Sequence, residues 1–317
     1  MKMSSEHMLS IYEKMHLIRK SELCMWETFQ KGEIVGHMIP AVGQEAIPAT
    51  ISTLLEDDDY IITGHRGGGH YIARDCDFNA MWCELYGRTN GSNGGRGGQL
   101  HLMDISRNAI TGNAVVGQQW GLAAGVGFAA RYNKTKGVVV GGEASTNRGT
   151  FHEGLNMCAV FNLPMLFVVE YNGKMMWMVH EEFLSCKRVA SRAAGYDIPG
   201  RTVDGNDPFE IFEAASEYFE HISSGKGPCL LECITCKWTD TVGNVRDYPE
   251  NIAKIKEKDP IPRFEKKLRE LGVLTDALDE DIRKRTDKKL ADAIEFAKSS
   301  PLPEKYDGVD AVYCQKV

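Results

Sequence analysis

The sequence predicts an α/β fold with a mostly parallel sheet and helices on both faces. Three observations carry this. Val138-Val139-Val140 and Met165-Leu166-Phe167-Val168-Val169 are unbroken apolar runs, the pattern of strands buried on both faces. Residues 151–161 between them are helix-like and stop at Asn162-Leu163-Pro164, which makes a βαβ unit. No internal repeat and no second set of core elements is visible, so residues 1–317 are expected to form a single domain.

Taken in order, residues 8–31 are expected as an amphipathic helix. Met8, Ile11, Tyr12, Met15, Ile18, Trp26 and Phe29 recur at three- and four-residue steps, and Gly32 is the stop. A second helix is expected over 42–55, a strand at Tyr60-Ile61-Ile62 and a helix over 78–88. Asn90-Gly91-Ser92-Asn93-Gly94-Gly95-Arg96-Gly97-Gly98 is too glycine-rich for either element. A helix over 118–131 follows. Its Gly121-x-x-x-Gly125 pair admits a close neighbouring backbone, within the chain or from another subunit.

After the βαβ unit, 177–193 read as a loop entering a helix, 208–224 as a helix and 228–235 as a strand. Residues 238–262, with Pro249, Pro260 and Pro262, read as a long surface loop. A charged helical extension is expected over 263–317. It is helical through 263–299 with a break at Gly272, then extended from Ser300.

The chain has 317 residues, 43% hydrophobic and 26% charged, ordinary for a globular protein. A net charge of −7 gives no electrostatic case for nucleic acid or an anionic membrane surface. No apolar run approaches the ~20 residues of a membrane span, and the N-terminus lacks an apolar signal core. A cytoplasmic location is expected. The nine cysteines are scattered. Cys233-Ile234-Thr235-Cys236 lies in an expected strand and reads as core rather than as a redox or zinc pair.

Glu143 leaves the end of the first strand of the βαβ unit and Asn172 the end of the second. Both therefore reach the crevice at the carboxyl edge of the sheet. A carboxylate and an amide oxygen are hard ligands, suited to a magnesium ion that keeps positions for phosphate oxygens.

The stretch from Gly142-Glu143-Ala144 to Val168-Val169-Glu170-Tyr171-Asn172-Gly173 is similar to the thiamine diphosphate motif. Val42-Gly43-Gln44-Glu45-Ala46, Gly64-His65-Arg66-Gly67, Gly97-Gly98-Gln99-Leu100-His101, Gly149-Thr150-Phe151-His152-Glu153 and Val203-Asp204-Gly205-Asn206-Asp207 add to it by their order. From about Ile11 to the 290s the chain resembles the alpha subunit of two-subunit 2-oxo acid dehydrogenase E1 enzymes. The resemblance implies thiamine diphosphate held through Mg2+ by Glu143, Asn172 and the backbone carbonyl of Lys174, with Gly142 and Ala144 beside them. It implies that His65 and Arg66 approach the diphosphate. It implies that Val116 bends the cofactor and that the Ala114 carbonyl accepts from its 4′-amino group. It also implies a separate beta subunit, in an α2β2 heterotetramer, that carries the activating glutamate. The expected substrate is a small 2-oxo acid or ketose.

The departures are informative. Glu143 stands where the family has Asp, Ala144 where it has Gly, and Tyr171 where it has Asn. Gly68 stands in place of a histidine, and Lys237-Trp238-Thr239-Asp240-Thr241-Val242 lacks a second one. His70 is retained, either as a catalytic proton carrier near neutral pH or as a structural residue. His101 is a weaker candidate, and Met175-Met176-Trp177-Met178 reads as packing. The expected reaction is E1-like decarboxylation of a 2-oxo acid with acyl transfer. Carboligation or ketol transfer without lipoamide is the alternative, and a non-catalytic stabilising paralogue is the alternative of another class.

Overall fold

The computed structural model describes residues 2–34, 36–110, 112–176, 178–238 and 256–304. The first helix, α1, spans Ser5–Gln30. It begins before the expected start because Ser4 caps it. The Ser4 hydroxyl accepts from the His7 amide at 3.2 Å, and the Ser4 amide donates back to His7 Nδ1 at 3.3 Å. Helix α2 is only Ala46–Thr53. The turn before it needs Gly43 at φ +101°, where a Cβ would lie 2.3 Å from the Cys236 carbonyl. Strand β1 is Tyr60–Thr63. The glycine run after it forms a short helix, α3 (Gly68–Ala73), which the sequence reading did not anticipate.

Helix α4 covers Phe78–Leu85, and the glycine-rich segment after it wraps around Glu84. The amides of Asn93, Gly95, Gly97 and Gly98 donate to that carboxylate at 2.5–3.1 Å. The anion in this glycine loop is therefore an internal side chain. Strand β2 (Ala109–Ile110), helix α5 (Gln118–Asn133), strand β3 (Gly137–Gly142), helix α6 (Gly149–Val160) and strand β4 (Met165–Tyr171) follow. A two-stranded hairpin, β5 (Lys174–Met175) with β6 (Met178–Val179), and a one-turn helix α7 (His180–Phe183) come next. Trp177 lies outside the described residues. Strand β7 (Gly200–Asp204) was not expected, because Gly-Arg-Thr-Val-Asp has no apolar run. Helix α8 (Pro208–Ser223) and strand β8 (Cys229–Ile234) match expectation closely.

Residues 239–255 of the expected 238–262 loop lie outside the described residues. The loop reading fails at its end, where α9 (Pro260–Glu270) starts on the prolines. Asp259 caps it, accepting from Ile261 N at 3.1 Å, and proline at a first turn forfeits no bond. Gly272, at φ +68°, separates α9 from α10 (Asp276–Ser299) as anticipated.

Six strands make one parallel sheet in the order β2-β1-β3-β4-β8-β7. Alternate residues serve opposite cores. Val138, Val140, Leu166, Val168 and Leu231 face α1, α2, α8 and the C-terminal helices. Val139, Phe167, Val169 and Leu230 face α5 and α6. The chain leaves β1 toward β2 and returns to place β3 on β1's other side. That makes a topological switch point between β1 and β3, where open α/β sheets bind ligands.

Candidate functional site

The ends of β1, β3 and β4 surround a cavity of about 520 Å³ at this switch point. His65, Arg66 and His70 reach it from the β1 end, and Gly142, Glu143 and Ala144 from the β3 end. Asn172 and Lys174 come from β4 and the hairpin, and Val116 from the turn before α5. Ala114 does not line it. Val116 is 44% exposed, so it is a cavity residue and not a core valine. A larger, shallower groove of about 1220 Å³ between α1, α4 and α10 is far from the sheet edge and carries surface ion pairs such as Lys14–Asp75 and Arg285–Glu13.

Glu143 is 1% exposed. The Lys174 amide donates to its Oε1 at 3.1 Å and to Asn172 Oδ1 at 3.3 Å, so the two expected ligands converge on one amide. Burial pushes the Glu143 carboxyl up to about 7, against the opposing pull of the backbone amides of residues 143 and 172–174. Burial, followed by the charges of Arg66 and Lys237, pushes His65 down to about 4, so it is neutral at pH 7.

Gln44, Gln119, Ser145, Arg148 and Lys237 also line the cavity. The sequence reading gave none of them a role, although Gln44 sits in one of the recognised motifs. Gly117 (φ +89°) lets Arg148 pass, since a Cβ there would lie 2.4 Å from its Cγ. His101 bonds the Gly112 carbonyl at 3.1 Å, outside the cavity. Among the described residues the half-buried thiol of Cys236 and the buried thiol of Cys233 are both free of disulfides. Among the described residues no cluster of three or more His, Cys, Asp or Glu side chains could hold a metal alone. A cation here would depend on Glu143, Asn172, a backbone carbonyl and oxygens brought by a ligand, the habit of Mg2+ with phosphates. Gln119 Oε1 is a buried oxygen with no hydrogen-bond partner among the described residues and belongs to a residue lining the same cavity. The residues present fit a metal-held diphosphate.

A diphosphate-binding α/β enzyme is thus the class that the fold and the cavity define. Residues 13–305 match the family model described as dehydrogenase E1 component. The alpha subunit of acetoin:2,6-dichlorophenolindophenol oxidoreductase from Bacillus subtilis is 36% identical, over 98% of this chain and 95% of that one. The pyruvate dehydrogenase E1 component subunit alpha of Zymomonas mobilis is 33% identical over 94% and 86%. The 2-oxoisovalerate dehydrogenase subunit alpha of Bacillus subtilis is 29% identical over 99% and 97%. The chain belongs to the dehydrogenase E1 component family. It is an E1 alpha-type enzyme subunit, and its family implies thiamine diphosphate and a beta partner. No helix among the described residues is long and apolar enough to cross a membrane.

Proposed function

We propose that this chain is the alpha subunit of a cytoplasmic α2β2 enzyme that decarboxylates a small 2-oxo acid, or cleaves a related ketol, and passes the acyl group on. The convergence of Glu143 and Asn172 on one amide at the switch point carries the reading. Glu143, Asn172 and the Lys174 carbonyl would hold Mg2+. His65 and Arg66 would meet the diphosphate, and Val116 would shape the bound cofactor. When bound, thiamine diphosphate supplies a nucleophilic carbon and an electron sink. The apolar surface of α5 and α6 supports assembly with other subunits. Leu122, Met157, Val160 and Phe161 are each at least 43% exposed there, a patch of the kind that marks interfaces. Titration of thiamine diphosphate with Mg2+ into the chain co-expressed with a beta-type partner tests the proposal. Saturable, Mg2+-dependent binding is expected, and its absence would leave a stabilising paralogue.

One observation favours carboligation or ketol transfer over lipoamide acylation. Gly68 contributes no side chain, and a Cβ there would have only Glu22 Oε1 at 3.9 Å and Gln99 Nε2 at 4.0 Å nearby. Position 68 therefore contributes no imidazole to the space beside Glu22. Thr241, the other altered position, lies outside the described residues.

A further inference from the structure

The wall of the cavity near β4 holds groups that the cofactor reading does not use. His70 is 2% exposed, and its Nε2 lies 3.0 Å from Glu170 Oε1 on β4. With Glu170 accepting, Nε2 is the donor in this contact, and Nδ1 can accept from a second partner. Nδ1 is buried with no hydrogen-bond partner among the described residues.

Behind the ring is a void of about 10 Å³, bounded by Glu22, Gln44, Glu45, Arg66, His70 and Glu170. It has the size of one water. Gln44 Oε1 is a second buried acceptor without a partner. Glu22 Oε2 accepts from the Ala41 amide at 2.6 Å. Burial, then the charges of Glu45 and Glu170, push Glu22 up to about 8, so at neutral pH it carries a proton it can donate. Arg19, the cation nearest Glu22 on α1, is engaged by Glu45 at 2.5 Å and Asp259 at 3.0 Å. A water has two protons for the two acceptors and two lone pairs, one for Glu22 and one toward Arg66, which also borders the void.

We propose that Glu170 is a positioning residue for His70, and that the void behind the pair is a site for one water. That water donates to His70 Nδ1 and Gln44 Oε1 and accepts from Glu22. The tautomer of a histidine in the cofactor cavity wall is then set from the core. Its relevance to catalysis rests on the function proposed above; the water and the tautomer do not.

Crystals of the complex with its beta partner, at a resolution that orders buried water, test the site. Solid-state 15N NMR of histidine-labelled complex tests the ring, with the His70 signal identified by its loss in His70→Gln. We expect one water peak with three contacts of hydrogen-bond length, and an Nε2–H tautomer. Glu170→Met, which removes the acceptor at Nε2, should let His70 populate Nδ1–H. A dry void, an ion revealed by the anomalous signal of soaked rubidium, or an Nδ1–H ring in the unaltered protein would each overturn the proposal. So would an unchanged tautomer in Glu170→Met. Failure of thiamine diphosphate to bind while water and tautomer are as expected would instead count against the proposed function.

Discussion

Glu143 shows how a single residue couples burial to chemistry. Its carboxyl is held near 7 by desolvation, and a metal needs the ionised form. Magnesium-dependent thiamine diphosphate binding should therefore strengthen as pH rises through about 7, which isothermal titration across pH 6 to 8 would measure. Glu143→Ala should abolish that binding while circular dichroism and melting stay near those of the parent; unchanged affinity would remove Glu143 from the site. Glu22 gives a prediction about stability. Its folded-state value near 8 lies above the usual carboxylate value of 4.5, so the folded chain holds the proton longer than the unfolded one. Its contribution is full below about 4.5 and is lost as pH rises through about 8, at up to roughly 1.4 kcal/mol per pH unit. Glu22→Gln should flatten the fall in denaturation midpoint over that window. The place of Glu143 at the sheet edge was legible because strand ends are readable from apolar runs. Glu22 was not, since its partners Ala41, Glu45 and Glu170 meet only when α1 packs on the sheet.

At the level of elements, α5 and α6 divide their glycines between two tasks. A Cβ on Gly154 would lie 2.1 Å from the Trp120 carbonyl, whereas one on Gly125 meets nothing within 4 Å. Gly154→Ala should cost about 1–3 kcal/mol through overpacking, seen as a lower urea midpoint. Gly125→Leu should leave the isolated chain's melting temperature almost unchanged but block association with the beta partner in size-exclusion chromatography. Normal assembly of Gly125→Leu would move the interface elsewhere. The Gly121–Gly125 pair was readable as a close-approach signal, yet the sequence left its neighbour open. Within the chain Gly121 faces Thr150 and Gly154 of α6, and of the pair only Gly125 meets nothing among the described residues. Strand β7 and helix α3 were missed for a related reason. An edge strand and a glycine-opened turn of helix draw their stability from neighbours more than from their own pattern.

For the whole molecule, the family resemblance implies that the activating glutamate comes from a beta partner. The chain alone should turn over no 2-oxo acid, and adding a beta-type partner should restore activity. Paired with that partner, it should reduce lipoamide slowly and form acyloin from an aldehyde acceptor, because Gly68 supplies no imidazole at its position. Proton delivery by such a group is worth about 10²–10⁴-fold. Fast lipoamide reduction would restore the ordinary E1 reaction.

By itself, the sequence determined the parallel sheet, the βαβ unit and the two side chains at its strand ends. These depend on hydrophobic periodicity and short motifs, which are local. The tertiary structure decided the rest. It placed His70 against Glu170, although 100 positions separate them. It aimed the glycine-rich loop at Glu84 rather than at a phosphate, and it brought Gln44, Arg148 and Lys237 to one cavity. Those outcomes depend on which faces meet across the sheet and on how much water burial removes, neither of which is encoded in any single segment.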